Sequence, residues 1–340
     1  MMTREVTSKG ASKADLKQAR KIVRDHPVAK ANLALLGDKK FLFNETRSSF
    51  VMYGVQGRSW IALGDPIGPP EEAPAMIRRF CQAGIEQGAR PVFYEVRNEY
   101  LSVYEDLGLH PLKIAEEGWV ALISFSLAGP KRRDLRNAVR KAEKEGCTFE
   151  WLPAAGSRAL LPELRAVSDA WLTSKHAGEK QFSIGYFDED YLKNFSVGVV
   201  RQNGQILAFI TLWAGSFGDE LYLDLMRSVP DMPRGTMDLL FVRLMERAQE
   251  NGYSWFNLGM SPLSGPVDRT EHPVWGWARA RLRRYGEKFY NTQGLRQYKE
   301  KFDPQWVPRY LAAPRGLALV RAFVDVAALT SGGLRWIVFK

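Results

Sequence analysis

The fold of this chain is most visible in the stretch Leu221-Tyr-Leu-Asp-Leu-Met-Arg-Ser-Val-Pro-Asp-Met-Pro-Arg-Gly-Thr236. Its first leucines alternate with Tyr222 and Asp224, which is the period-two pattern of a strand with one buried face. Two prolines mark residues 227–234 as a loop. A helix is predicted at residues 237–250, followed by a strand at 254–258. The stretch therefore predicts a strand–loop–helix–strand unit of the α/β type.

The first half of the chain repeats this order. Strands are predicted at residues 50–55, 60–63 and 91–96. A proline-rich loop follows Asp65, and the helix after it ends before Gly88, as the helix of the second half ends before Gly252. The repetition indicates two copies of one α/β unit within the chain.

A basic helix is predicted between the two halves, at residues 129–146. Pro130 suits its first turn, and Gly146 suits the position after its end. Four cations at a spacing of four line one face of this helix: Arg132, Arg136, Arg140 and Lys144. Such a row indicates either a solvated linker or a surface that binds a polyanion. We therefore predict a first domain at residues 1–128 and a second at 147–340, joined by this linker helix.

The positive charge of the chain is concentrated near its C-terminus. The net charge is +10, and residues 279–340 contain 13 Lys and Arg against 4 Asp and Glu. Within this part, Tyr298-Lys-Glu-Lys-Phe-Asp-Pro-Gln-Trp306 places two lysines beside aromatic residues. A positive field confined to one region indicates a polyanionic partner.

Neither a metal site nor a disulfide framework is expected. The two cysteines have no motif spacing, and the four histidines lie far apart. No apolar run reaches the roughly 20 residues that span a bilayer, and the N-terminus lacks the apolar segment of a signal peptide.

An amphipathic helix is predicted at residues 316–329. Its predicted apolar face contains Leu317, Val320, Phe323, Val324 and Ala327. Packing of this face on its own domain is favoured over contact with a membrane surface. The net positive charge keeps anionic lipid as the alternative partner.

Several segments resemble those of one protein family: residues 132–142, Leu223-Asp-Leu-Met-Arg-Ser228, Pro233-Arg-Gly-Thr236 and Tyr298-Lys-Glu-Lys-Phe-Asp-Pro304. They are similar to the catalytic region of the bacterial aminoacyl-phosphatidylglycerol synthases, the multiple peptide resistance factors, and the likeness covers essentially the whole chain. The resemblance implies tandem acetyltransferase-like (GNAT) domains, of the α/β (α+β) class. It also implies transfer of an aminoacyl group from aminoacyl-tRNA to the glycerol hydroxyl of phosphatidylglycerol.

Further expectations follow from the same resemblance. Family members carry a multi-span membrane domain, so this chain would be a soluble part that works at the cytoplasmic face of the bacterial inner membrane. Their product confers resistance to cationic antimicrobial peptides. Members of the family transfer either alanine or lysine. The composition of this chain and its overall likeness to the family favour the alanyl enzyme. The Fem-type transferases, which act on a peptidoglycan precursor, share the fold and the donor, and a non-catalytic RNA-binding module is a further alternative.

No cofactor is expected. Acetyltransferases of this superfamily bind the pyrophosphate of acetyl-CoA with the backbone N–H groups of a glycine-rich loop. In this chain only Arg234-Gly235 resembles that loop, and Pro233 removes one N–H donor. Acyl-CoA is therefore disfavoured as the donor.

Candidate site residues come from position in the predicted elements together with the resemblance. Four residues are predicted to be catalytic: Asp224, Tyr191, Lys299 and Arg227. Four are predicted to bind substrate: Arg234, Asn257, Lys301 and Ser228. The row Arg132, Arg136, Arg140 and Lys144 is predicted to bind tRNA. Asp224 would bind the substrate ammonium group or accept a proton, and the resemblance implies that a lysine at 299 or 301 stabilises the leaving ribose oxygen or the terminal phosphate. For Tyr191 and Asn257, core or strand-end roles are the alternatives.

Overall fold

A computed structural model describes residues 10–26, 28–175, 178–215, 219–262 and 292–331. This part of the chain contains eleven strands and ten α-helices. The strands are β1 (Lys40–Phe43), β2 (Phe50–Gln56), β3 (Ser59–Leu63), β4 (Arg90–Val96), β5 (Leu109–Ala121), β6 (Thr148–Leu152), β7 (Ser196–Gln202), β8 (Gln205–Ala214), β9 (Glu220–Ser228), β10 (Trp255–Pro262) and β11 (Gln305–Pro314). The helices are α1 (Lys13–Asp25), α2 (Ala73–Glu86), α3 (Leu101–Asp106), α4 (Arg133–Lys144), α5 (Ala154–Ser157), α6 (Leu161–Lys175), α7 (Glu189–Leu192), α8 (Thr236–Glu250), α9 (Thr292–Glu300) and α10 (Leu317–Thr330).

The chain divides into two units, each drawn from separated segments. The first comprises Met1–Leu112, Gly178–Tyr191 and Tyr310–Lys340, and the second comprises Lys113–Ala177 and Leu192–Arg309. Helix α4 lies within the second unit.

The sheet of the first unit has the strand order β1-β2-β3-β4-β11. Only β3 and β4 are parallel, and α2 forms the connection between them. One face of the sheet packs on α2 through an aromatic core in which the Tyr53 ring stacks on Trp60 and meets Phe80 edge-on. The next residue along β2, Gly54, points to the other face, where a Cβ atom would collide with Leu329 of α10. Helices therefore cover both faces.

The sheet of the second unit has the order β5-β10-β9-β8-β7-β6. Again one pair is parallel, β9 with β10, and helix α8 connects them. The apolar face of α8 packs with β7, β8 and α4 in the main core of this unit. The parallel pair and its crossover helix thus occur once in each unit, and the predicted repeat is confirmed.

Each unit takes its last strand from the other half of the sequence. Strand β11 pairs antiparallel with β4 in the first unit, through residues 310–312. Strand β5, which follows the first parallel pair along the chain, pairs antiparallel with β10 in the second unit, through residues 115–121. Neither unit is therefore a continuous piece of sequence.

Two local expectations need correction. Strand β9 continues through Ser228, so Arg227 belongs to a strand and not to the predicted loop. Helix α10 does pack on its own unit, but not by the predicted face: Leu317, Val320 and Val324 are exposed, whereas Leu319, Ala322 and Val326 are buried. A regular apolar spacing predicts an apolar helix face, but it does not show that this face is the one that packs on the sheet. None of the described helices is both long enough and apolar enough to cross a membrane.

Candidate active site

The candidate site lies where the two parallel strands of the second unit separate. Their pairing ends at Tyr222 and Asn257, although β9 continues to Ser228 and β10 to Pro262. Beyond this point β10 bends, because its register with β5 shifts between Asn257 and Met260 and Gly259 has a φ of +76°. The inner edges of the two strands are consequently not paired with each other beyond Tyr222 and Asn257.

Lys299 of α9 reaches β10 at this bend. Its Nζ donates hydrogen bonds to the carbonyl oxygens of Gly259, at 3.1 Å, and Met260, at 3.0 Å. The residue is only 6% exposed. Burial lowers the pKa of its ammonium group to about 7, although the negative charge of Glu117 raises it and the positive charge of Arg296 lowers it further. Lys299 can therefore exist in both protonation states near neutral pH.

A buried carboxylate, Glu117 of β5, connects four segments of the second unit. Its oxygens accept hydrogen bonds from the Tyr222 hydroxyl at 3.1 Å, from the Asn257 amide at 3.4 Å and from the guanidinium of Arg309. Asn257 in turn accepts a bond from the N–H of Gly259 at 2.7 Å, which fixes the bend in β10. The cluster thus sets both the position and the electrostatic surroundings of Lys299. Glu117 was not among the predicted residues. Its strand also contains His110, Lys113 and Glu116, so its sequence does not mark Glu117 out from its neighbours.

Asp224 and Arg227 lie further along β9, on the part that has left β10. Asp224 is half-buried, and its carboxylate lies 3.5 Å from the Thr211 hydroxyl. The same hydroxyl accepts a hydrogen bond from the backbone N–H of Leu225. Arg227 is buried and lies over the ring of Trp171 in α6, 4.2 Å from the ring centre. Ser228 is the last residue of the strand. Asp224 lies two residues beyond Tyr222 in β9, and Gly259 lies two residues beyond Asn257 in β10. Asp224 and the bend that binds Lys299 are therefore equally far along their strands from the last parallel pair.

Lys301 and Arg234 lie nearer the surface. The Lys301 ammonium pairs with Asp238 at the start of α8, at 2.9 Å, and it lies 4.7 Å from the Tyr298 ring centre. The side chains of Lys299, in the last turn of α9, and Lys301, directly after the helix, thus point in different directions, as expected for residues two apart along a helix. Arg234 is exposed in the loop before α8. The neighbouring Gly235 has a φ of +94° and touches α4 so closely that a Cβ atom would lie 2.3 Å from the Ala138 carbonyl oxygen.

The cationic row of α4 divides into two pairs. Arg132 donates to the carbonyls of Lys301 and Phe302, at the turn after α9, and Arg136 donates to those of Leu127 and Gly129. These two arginines therefore hold backbone groups in place. Arg140 and Lys144, in contrast, are exposed. Helical spacing alone could not distinguish the two pairs.

Tyr191 stands apart from the other candidates. It is buried in the first unit, where its backbone N–H donates to the carboxylate of Asp188 at 2.8 Å. The other eleven candidates belong to the second unit. Among them, Asn257 and Lys299 meet around the bend in β10.

Comparisons with known proteins place this geometry in context. The family described as "Phosphatidylglycerol lysyltransferase, C-terminal" matches residues 20–313. Two similar relatives are phosphatidylglycerol lysyltransferases. The one from Staphylococcus xylosus is 36% identical over 283 residues, which are 83% of this chain and 33% of that protein. The one from Bacillus subtilis (strain 168) is 35% identical over 293 residues, 86% of this chain and 34% of that protein. The chain thus spans about one third of the length of these relatives.

Solved structures agree with this match. The C-terminal domain of a protein assigned as a lysylphosphatidylglycerol synthetase, from Agrobacterium fabrum, is 40% identical with a TM-score of 0.85, over 95% of this chain and 98% of that one. L-PGS from Bacillus licheniformis is 32% identical with a TM-score of 0.84, over 96% and 98% of the two chains. FemX, at 12% identity and a TM-score of 0.53 over 94% of this chain and 99% of that one, shares the fold.

Proposed function

This chain belongs to the family described as phosphatidylglycerol lysyltransferase, C-terminal, and from that membership we propose that it transfers an aminoacyl group to a glycerol hydroxyl of phosphatidylglycerol. The donor in this proposal is an aminoacyl-tRNA. The observation that carries the proposal is the buried Lys299, which is held at the bend of β10 where β9 and β10 separate.

The proposed reaction exchanges one ester for another. The lipid hydroxyl oxygen forms a bond to the aminoacyl carbonyl carbon, and the bond from that carbon to the ribose oxygen breaks. The hydroxyl loses a proton and the ribose oxygen gains one, so the reaction needs neither an oxidant nor a hydrolysable co-substrate. The protein must orient the two substrates, move one proton and stabilise the oxyanion that forms between the two steps.

Lys299 is suited to move that proton. Two of its N–H groups are already directed to backbone carbonyls, which fixes the direction of the third position on the nitrogen. In the neutral amine this position is a lone pair that can accept the proton of the lipid hydroxyl. In the ammonium form it is an N–H that can donate to the leaving ribose oxygen. A pKa of about 7 makes both transfers accessible at neutral pH.

The remaining candidates take positioning roles in this proposal. Asp224 binds the α-ammonium group of the aminoacyl donor in this proposal, because it is a half-buried carboxylate on the part of β9 that no longer pairs with β10. Arg227 and Ser228, at the end of the same strand, and Arg234 and Lys301, near the surface, contact phosphate groups of the substrates. Asn257 holds the bend in β10 through Gly259. The role of Tyr191, which is buried in the first unit, stays a prediction.

The tRNA donor is supported by the exposed cations of α4. Arg140 and Lys144 lie on one face of this helix and both are exposed. Arg132 ties the beginning of the same helix to the turn that follows Lys299 and contains Lys301. The exposed cations lie about two to three turns further along α4, so an RNA strand bound to them would run along the helix toward this turn.

The amino acid is the finer part of the proposal, and alanine is favoured. A lysyl side chain brings a second ammonium group, which requires another carboxylate in the site. Of the described acids around Lys299 and α9, Glu117 already accepts three hydrogen bonds and Asp238 pairs with Lys301. Glu116 and Glu300 both pair with Arg296. Lysine is the second candidate, because the similar relatives bear the name lysyltransferase.

The proposed product alters the charge of the membrane. Phosphatidylglycerol carries one negative charge, which an alanyl group with one ammonium cancels and a lysyl group with two ammonium groups reverses. Cationic antimicrobial peptides are attracted by that negative charge, so the modification would confer resistance to them. The alternative acceptor is a peptidoglycan precursor, as in the Fem-type transferases. The likeness to FemX concerns the fold alone.

The test is a panel of donors with a defined acceptor. The protein is incubated with detergent-dispersed phosphatidylglycerol and with tRNA charged separately with radiolabelled alanine, lysine or serine. We expect radioactivity in the lipid phase with alanyl-tRNA. Counts with lysyl-tRNA alone would assign the lysyl reaction. Binding of charged and uncharged tRNA with equal affinity, and no lipid product from any donor, would indicate an RNA-binding module and contradict the proposal.

A further inference from the structure

Helix α10 presents an unusual apolar surface to solvent. Six large hydrophobic side chains are exposed in the described part of the chain, and three of them lie in this one helix. They are Leu317, 80% exposed, Val320, 43% exposed, and Val324, 49% exposed. Their spacing of three and four residues places them on a single face over the first two turns.

The helix does not need this face for its own packing. Its opposite side carries the buried residues Leu319, Ala322 and Val326, and it rests on β2 and β3 of the first unit. Near its C-terminal end, Leu329 fills the space left open by Gly54. The helix therefore packs on its own unit without using the exposed row.

The charges around the row have one sign. Arg315, just before the helix, and Arg321, within it, are both exposed. The one acid of the helix, Asp325, is turned toward the sheet, where it accepts a hydrogen bond from Ser59 at 2.6 Å and lies 3.6 Å from Arg90. The outward surface of the first two turns is consequently apolar and cationic.

We propose that this face, formed by Arg315, Leu317, Val320, Arg321 and Val324, docks the chain on the surface of an anionic lipid bilayer. The helix lies in the plane of the interface, its apolar side chains enter the boundary between headgroups and acyl chains, and the arginines contact lipid phosphates. The two flanking cations favour an anionic membrane over a second copy of this chain, whose identical face would bring arginines against arginines. The inference deepens the proposed function, because it rests on a lipid acceptor that must be reached at a membrane surface.

The test is flotation of the purified chain with vesicles of three compositions. We expect the protein to float with equal mixtures of phosphatidylcholine and phosphatidylglycerol, and equally well when phosphatidylserine replaces phosphatidylglycerol, but not with phosphatidylcholine alone. The double variant Leu317→Gln/Val324→Gln should partition about tenfold or more weakly, because it loses apolar insertion while glutamine still favours a helix. Removal of the cations in Arg315→Gln/Arg321→Gln should weaken partitioning by about fivefold per arginine.

Matched controls come from α2, which covers the other face of the same sheet. Ile85→Gln removes an apolar side chain that is 65% exposed, and Arg78→Gln/Arg79→Gln removes two exposed positive charges. Both controls should float as the wild type does. Thermal unfolding followed by circular dichroism should show the same transition for all variants, because every substituted side chain is exposed.

Three results would overturn the docking inference. The first is wild-type flotation of Leu317→Gln/Val324→Gln. The second is binding to phosphatidylglycerol but not phosphatidylserine, which would place the lipid in a substrate site and not under α10. The third is loss of self-association in the variant with unchanged flotation, which would make a second copy the occupant.

The docking inference and the proposed function can fail separately. Transfer to detergent-dispersed phosphatidylglycerol requires no bilayer, so the α10 variants should keep that activity and lose activity only on vesicles. If the chain transfers to dispersed lipid but does not float, the docking is wrong and the proposed function stands. If it floats through α10 but forms no product, the docking stands and the proposed function is wrong.

Discussion

At the scale of single residues, the proposal depends on Asp224, a residue of β9, and on Lys299, a residue of α9 whose ammonium group binds β10. Asp224 lies on β9 and Lys299 is bound to β10, each two residues beyond the last parallel pair of these strands. A carboxylate suits the positive end of an aminoacyl group, and a lysine that changes protonation near pH 7 suits the ester oxygens. In the proposed reaction, Asp224 would bind the ammonium group of the donor and Lys299 would act on its ester oxygens.

Asp224→Asn should impair recognition of the aminoacyl group without affecting recognition of the RNA. An amide cannot replace the charge that binds an ammonium group, and such charge-assisted bonds contribute about 1.5–3 kcal/mol, or roughly 10- to 100-fold in kcat/KM for charged tRNA. Affinity for uncharged tRNA should not change. The exposed Asp231→Asn, in the loop after β9, is the matched control and should behave as the wild type. Equal kcat/KM values for Asp224→Asn and the wild type would remove Asp224 from the site.

At this scale the candidate residues were chosen by motif and spacing, and their roles stay predictions. Lys299 and Asp224 stand in segments that resemble a family, and each lies at a recognisable place in a helix or strand. Glu117 has no such segment around it. Its importance comes from Tyr222, Asn257 and Arg309, which the fold brings to it from more than 100 residues away in the sequence. No local pattern reports contacts of that kind.

At the scale of elements, α4 shows that cations of one helical row can have different surroundings. Its first two arginines hold backbone carbonyls of neighbouring turns, and its later cations are exposed. The spacing of the row was correctly predictable from the sequence. The partners of Arg132 and Arg136 were not, because they lie on turns whose positions depend on the packing of other elements.

The exposed half of this row should contribute to the salt dependence of tRNA binding. In Arg140→Gln/Lys144→Gln, the slope of log Kobs against log salt should become shallower by about 1.5. Binding with two fewer phosphate contacts releases fewer counterions from the RNA. The control Lys141→Gln/Arg247→Gln removes the same charge from exposed side chains that pair with Glu145 and Glu250. It should keep the wild-type slope. An equal slope for all three proteins would show that tRNA does not contact this face of α4.

At the scale of the whole molecule, the repeat was predictable and the exchange of strands was not. Alternating apolar residues and helix-ending glycines are local signals, and they located both parallel pairs with their crossover helices. The pairing of β11 with β4, and of β5 with β10, joins segments that lie far apart in the chain. Such pairings depend on the complete fold, and therefore sequence order alone suggested two continuous domains. The predicted boundaries at residues 128 and 147 stay a prediction.

The long-range arrangement is also what gives Lys299 its chemistry. Glu117 comes from β5, Asn257 from β10, Arg309 from β11 and the lysine from α9. Burial of the ammonium group lowers its pKa, and the charge of Glu117 partly opposes that change. The protonation of the proposed catalytic group therefore reports directly on the assembled second unit.

The measurement that tests this account most directly is the pH dependence of kcat/KM for transfer to detergent-dispersed phosphatidylglycerol. With the neutral amine of Lys299 as the base, the rate should rise with pH, with a midpoint near 7. Glu117→Gln removes a charge that raises the pKa of Lys299, so its midpoint should move to lower pH with the same donor. Lys299→Met should lose activity at every pH, whereas Lys301→Met should keep the wild-type midpoint. A Lys299→Met variant with the wild-type rate, or a Glu117→Gln midpoint that stays in place or rises, would contradict the central role of Lys299.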